Sequence, residues 1–153
     1  MKPIYEMAVM NVQKLYPGAQ DTRVVSGDAR FRDSLRSALW EDYGFLVHES
    51  ELADCKESFE ELSEQAWKPK FIPDLWHIDA ESHVIHLFEV EDTHPLQNSK
   101  IALIHNYWWD LDAYGWEVRL IVFDRYGLNP RQLDLTEYAF HMIGVLRREK
   151  RNA

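Results

Sequence analysis

The stretch Phe71-Ile-Pro-Asp-Leu-Trp-His-Ile-Asp-Ala-Glu-Ser-His-Val-Ile-His-Leu-Phe-Glu-Val-Glu91 decides how the chain folds. It reads as two strands joined by a short polar turn. Ala80-Glu81-Ser82 is the turn-like break, and strand-forming residues flank it on both sides. With the turn centred on Glu81 and Ser82, facing residues have numbers that sum to a constant, and Glu89 faces Asp74. Directly opposed side chains in an antiparallel pair have Cβ atoms roughly 5 Å apart. Glu91 lies two residues beyond Glu89 and points to the same face. Asp74, Glu89 and Glu91 therefore converge on one side of a hairpin. Their mutual repulsion calls for a cation, and an all-oxygen set suits a hard ion such as Mg²⁺ or Mn²⁺. A one-residue slip of the turn would break the pairing.

Pro73-Asp74, then Glu89-Val90-Glu91, then a helix and another strand, resembles the PD-(D/E)XK nuclease superfamily. The likeness runs from Lys70 to Asp124, just over a third of the chain. It implies a restriction-endonuclease-like α/β fold, a central mixed sheet flanked by helices. It also implies metal-dependent hydrolysis of a DNA phosphodiester, with RNA left open. On that resemblance Asp74, Glu89 and Glu91 are metal ligands, with the Val90 carbonyl as a further one. The family's usual lysine is Glu91 here; some restriction enzymes of the superfamily also carry glutamate at that place. Gln97 and Lys100 stand one turn apart near the start of the next helix and can share a face. The superfamily often uses polar or basic residues there, so Lys100 is the candidate for the positive charge missing at position 91. The alternative is a domain that has lost its chemistry and binds a protein or nucleic acid.

The chain reads as one domain over residues 1–153, long enough to bury a core. Residues 1–67 are its mainly helical part, 70–124 its nuclease-like core and 134–150 its C-terminal helix. At this size a homodimer or a protein partner is expected to supply target choice. No apolar run approaches a membrane span. Glu6, Asn11 and Gln13 interrupt the apolar residues of the N-terminus, so no secretory signal is expected. The lone Cys55 rules out an internal disulfide, and a cytoplasmic location is expected. Net charge is −9, but nine acids and one lysine fall between Glu41 and Glu64; the rest holds 17 acids against 16 bases. That acidic stretch is read as a solvated face turned from any polyanion.

In order, a first helix is expected from Pro3 to Leu15, with Ile4, Met7, Ala8, Val12 and Leu15 as its apolar stripe. Asp21 to Asp28 is a polar connector. A second helix runs from Ala29 to Tyr43, with Phe31, Leu35, Ala38 and Leu39 inward, and Gly44 stops it. Arg30, Arg32 and Arg36 on it meet phosphates or form a solvated face, and Glu41 is a conceivable extra carboxylate. Phe45 to His48 is a short strand or a helix exit, and Asp54 to Trp67 a third helix. After the hairpin and a turn bearing His94, a long helix from Leu96 to Ala113 is apolar around much of its girth and expected to be well buried. Trp116 to Asp124 is an interior strand, joined to the hairpin by a parallel crossover. Tyr126 to Pro130 is a loop, and a last helix runs from Leu135 to Lys150.

The same register sets His77 opposite His86 with Asp79 on their face, pointing away from Asp74 and Glu89. Two histidines and a carboxylate suit iron or zinc. His77-Ile-Asp79 is similar to the His-x-Asp of iron- and 2-oxoglutarate-dependent oxygenases. Those enzymes are β-rich jelly rolls, whereas this chain has several strong helices, so these histidines are read as surface or interlayer residues. The tryptophans, Trp40, Trp67, Trp76, Trp108, Trp109 and Trp116, are read mostly as core.

Overall fold

A computed structural model describes residues 3–45, 68–92, 95–112 and 114–136. The helix expected from Asp54 to Trp67, with Cys55, lies outside them. So do His94, residues 46–48 and the C-terminal helix beyond residue 136.

The elements are α1 (Pro3–Leu15), β1 (Gln20–Asp21), α2 (Gly27–Phe45), β2 (Leu75–Asp79), β3 (Val84–Val90), α3 (Asn98–Asp112), β4 (Glu117–Phe123) and β5 (Arg131–Leu133). The strands form one five-stranded mixed sheet in the order β1-β2-β3-β4-β5. Only β3 and β4 run parallel; the other neighbours are antiparallel. This is an α/β fold. No helix among the described residues is long and apolar enough to cross a membrane.

The hairpin has the expected register. Leu75 pairs with Phe88, His77 with His86 and Asp79 with Val84. The Asp79 carboxylate accepts the Ser82 amide at 3.2 Å and His83 takes the left-handed conformation (φ 57), which closes the turn. The His83 ring stacks on Trp116 at 4.8 Å. Strand β4 is apolar on both faces because helices cover both. α1 lies on one side, where Tyr5, Val9 and Val12 meet Leu75, Phe88, Ile121 and Phe123. α2 and α3 lie on the other, where Phe31, Leu35, Ile104 and Leu111 meet Trp76, Ile85, Leu87, Leu120 and Val122. Strand alternation puts Glu89 on this second face, following Ile85 and Leu87.

Several expectations are corrected. The buried stripe of α1 is Tyr5, Ala8, Val9 and Val12, whereas Ile4, Met7 and Leu15 are exposed. The flat Tyr5 and β-branched Val9 and Val12 fit the sheet surface better than flexible methionine does. Tyr16 then continues the stripe onto Phe88 at 4.8 Å. α2 begins earlier and runs through Gly44 to Phe45. Helical hydrogen bonding there outweighs the modest penalty of a glycine, about 1 kcal/mol. α3 buries one face only: Ile101, Ile104, Tyr107 and Leu111 are inside, Trp108 is half-buried and Trp109 is exposed. Trp76 and Trp116 are core, and Trp40 packs at its margin. The supposed connector after Asp21 is preceded by β1, and β5 follows the Tyr126 loop; neither was expected.

Candidate active site

The site is assembled where β2 begins and β3 ends. The backbone of Pro73 and Asp74 is held from the β1–α2 loop. The buried Thr22 hydroxyl lies 2.5 Å from the Pro73 carbonyl and 2.9 Å from that of Asp74, and the Thr22 amide donates to Asp74 at 3.1 Å. Gly27 closes this loop against Thr22 so tightly that a Cβ there would sit 2.2 Å from the Thr22 carbonyl oxygen. Thr22→Val keeps the shape and leaves the Pro73 carbonyl without its hydroxyl donor, while the Asp74 carbonyl keeps the backbone amide. It should cost about 1–3 kcal/mol in urea unfolding; a change within error would show that the hydroxyl is not needed to hold Asp74.

The Asp74 carboxylate accepts the Val90 amide at 2.9 Å on Oδ2 and ion-pairs Arg23 at 3.3 Å on Oδ1. Extending the hairpin register by one residue sets it opposite Glu89. Glu89 is only 2 % exposed. Burial, then the charge and hydrogen bond of Asp74, push its carboxyl up to about 8, against the opposing pull of Lys100. Lys100 Nζ lies 2.5 Å from Glu89 Oε1. Lys100 is placed there by α3, whose first turn is capped by Gln97: its carbonyl accepts the amides of Lys100 and Ile101, each at 3.1 Å. A cleft of about 270 Å³ opens here, lined among others by Glu89, Val90, Glu91, Leu96, Gln97 and Lys100.

Comparison with family models, curated proteins and solved structures gives no match. The function has to be read from this geometry.

Asp74, Glu89 and Lys100 are brought together. Glu91 lines the same cleft, but its carboxylate is otherwise engaged: Oε2 accepts the Leu96 amide at 2.6 Å and Oε1 meets Arg131 at 2.7 Å. Among the described residues no group of three or more His, Cys, Asp or Glu side chains is arranged to hold a metal ion. The histidines therefore do not make one either. His77 and His86 stack face to face at 5.6 Å, and burial lowers the proton affinity of His86. Glu41 is exposed on α2.

Each of the three carboxylates has its own cation: Arg23 on Asp74, Lys100 on Glu89 and Arg131 on Glu91. Lys100 was expected from the resemblance, which implies polar or basic residues at the start of the helix after the acids. The sequence reading missed Thr22, Arg23 and Arg131. These come from a loop and from a three-residue strand that carry no periodic signal. Asp74 and Glu89 offer only oxygen donors, the kind a hard divalent ion takes, but as a pair they fall short of a metal-holding group. Burial first, and then the neighbouring Asp74, raises the proton affinity of Glu89.

Proposed function

We propose that the chain is a metal-dependent nuclease that hydrolyses DNA phosphodiester bonds, built on a restriction-endonuclease-like fold and working in the cytoplasm. The observation that carries this reading is the in-register opposition of Asp74 and Glu89, with Lys100 against Glu89 at the mouth of a cleft. The order of elements supports it: a hairpin bearing the acids, then a helix, then a strand parallel to the one that bears Glu89 and Val90.

On this reading Asp74 and Glu89 would hold Mg²⁺ or Mn²⁺, with the Val90 carbonyl and Glu91 as the further oxygen donors. The bound ion supplies Lewis acidity, which lowers the pKa of an attacking water and offsets charge on the leaving oxygen. Lys100 is close enough to the carboxylates to meet a phosphate oxygen in the cleft, where a cation stabilises charge developing on the phosphoryl group. Gln97 fixes the first turn of α3 and so the position of Lys100. Glu91 holds the ion or accepts the proton of the water.

A second reading, a domain that binds a protein or nucleic acid without cutting it, has one observation in its favour. Each acid already has a basic side chain against it, Arg23 on Asp74, Lys100 on Glu89 and Arg131 on Glu91, an arrangement that holds the site together without a metal ion. A cleavage panel separates the two: linear, circular, single-stranded and branched DNA, with an RNA arm, in Mg²⁺ or Mn²⁺. The wild-type protein should cut DNA only with metal, and Asp74→Asn should lose at least about 100-fold of the rate. No cutting of any substrate by the folded wild-type protein would favour the binding module.

A further inference from the structure

Residues 68–73 form no helix or strand, yet their burial alternates at every step. Lys68, Lys70 and Ile72 face out, and Pro69, Phe71 and Pro73 face in. The inward residues anchor the segment. Phe71 is buried and meets the Tyr107 ring edge-on at 5.4 Å, and each proline fixes its own φ. The outward row ends at Asp74, opposite Glu89. Lys68 and Lys70 are thereby held side by side, with Cα atoms at most about 7 Å apart, the full reach of two residues.

A second cavity, of about 140 Å³, lies between this segment and α3. Lys68, Lys70 and Asn106 line it, above Phe71, Leu103 and Tyr107. No acid lines it, although the chain carries a net charge of −9. The cleft beside Lys100 is the reverse, with Glu89, Glu91 and Asp92 in its wall. α3 borders both: Lys100, Leu103 and Tyr107 follow one another at helical spacing on one stripe. Asn106 lies six residues beyond Lys100, about 9 Å along the helix axis. One strand of a duplex rises about 3.4 Å per nucleotide, so the two cavities are spaced like phosphates two to three nucleotides apart.

We infer that Lys68, Lys70 and Asn106 form a phosphate-binding subsite for a DNA strand whose path continues into the cleft at Lys100. This rests on the nuclease reading for its ligand and deepens it by placing the strand; the contacts themselves need no metal ion. The chemistry is complementary. A phosphodiester carries one negative charge and offers only acceptors, whereas an ammonium brings three donors and the asparagine amide two. The lysines also release counterions from the strand as they neutralise it. Contacts of this kind fix the position of the strand and carry no sequence information.

The test follows binding of short labelled duplexes of several sequences by anisotropy, in EDTA, across a salt series. The variants are Lys68→Gln, Lys70→Gln, Asn106→Asp and, as a control, Lys14→Gln, each first checked for an unchanged circular dichroism spectrum and cooperative melting. Lys14 is exposed on α1, which covers the other face of the sheet, so its loss changes net charge equally but outside the subsite. Each of Lys68→Gln and Lys70→Gln should weaken binding about 3- to 10-fold on every sequence and reduce the salt slope by about one. Asn106→Asp keeps the shape on an exposed site and sets a carboxylate against the phosphate, which should cost about 5-fold or more. Lys14→Gln should leave affinity within about 2-fold of wild type. An equal loss in the control, or unchanged affinity in the three subsite variants, overturns the subsite; so does a folded wild-type protein that binds no duplex. Saturable binding of inorganic phosphate that depends on Lys68 and Lys70, with duplex binding indifferent to them, overturns it in favour of a free-anion site. Metal-dependent cutting by variants that bind as wild type does would leave the nuclease reading standing without the subsite. Lysine-dependent binding without cutting in Mg²⁺ or Mn²⁺ would leave the subsite standing without the nuclease.

Discussion

Glu89→Gln should stabilise the metal-free protein in alkali and abolish tight divalent-ion binding. The Glu89 carboxyl holds its proton up to about pH 8 in the folded chain, against an ordinary value of 4.5. The folded state therefore binds more protons than the unfolded one between these values, and stability falls as pH rises. The contribution of the protonated group is fully present below about pH 4.5 and is lost as pH climbs through 8. Glutamine resembles the protonated acid at every pH. At pH 5 the variant should match wild type. At pH 9 it should be more stable by up to the full linkage of about 5 kcal/mol, a value in which the opposing pull of Lys100 is already contained. Urea melts at the two pH values measure this. A gain of equal size at both would contradict the account, since it would not come from ionisation. The same substitution takes an anionic oxygen out of the proposed metal site, and Mn²⁺ affinity should drop at least about 100-fold.

Lys100→Met tests the other half of that pair, keeping most of the aliphatic stem. Breaking a buried ion pair ordinarily costs about 3–5 kcal/mol, because a charge is stranded. Here Glu89 has an alternative, since loss of Lys100 removes the main influence that lowers its proton affinity. At pH 6 the carboxyl is neutral in both proteins, and the cost should stay below about 1 kcal/mol. At pH 9 it should reach about 1–3 kcal/mol. Cleavage should fall about 100- to 10,000-fold, the usual range for removing one charge-stabilising or proton-handling group. Equal destabilisation at both pH values would show that Lys100 supports the fold through packing and not through Glu89. Undiminished cleavage would remove it from the proposed site.

The hairpin was legible because two constraints agree. The polar turn at residues 80–82 is the only break, and the two-residue period of a strand then fixes which side chains share a face. From these came the opposition of Asp74 to Glu89 and of His77 to His86. The parallel partner strand was legible too, since Val118 and Leu120 to Phe123 are apolar on both faces. What failed was whatever depends on edges. β1 and β5 are two and three residues long, mostly polar, and exist because a neighbouring strand offers an open ladder. Their own residues carry no alternation to read. The missed site residues follow from this. Arg23 and Arg131 reach the acids across 51 and 40 residues of sequence, through pairings that no local pattern announces. Glu91 illustrates the consequence. Spacing put it on the face of Glu89, and it does share that cleft, but its hydrogen bonds go to the loop before α3 and to β5. In α1 the error was of another kind: counting apolar residues gave Ile4, Met7 and Leu15, where shape against the sheet selected Tyr5 and Val9.

The most direct test of the central claim is a calorimetric titration of Mn²⁺ into the wild-type protein and into Asp74→Asn at neutral pH. The account predicts saturable binding in the wild type that weakens at least about 10-fold in the variant, because Asp74 and Glu89 hold the ion together. A folded wild-type protein that shows no saturable binding, or an Asp74→Asn protein that binds as tightly, would contradict it.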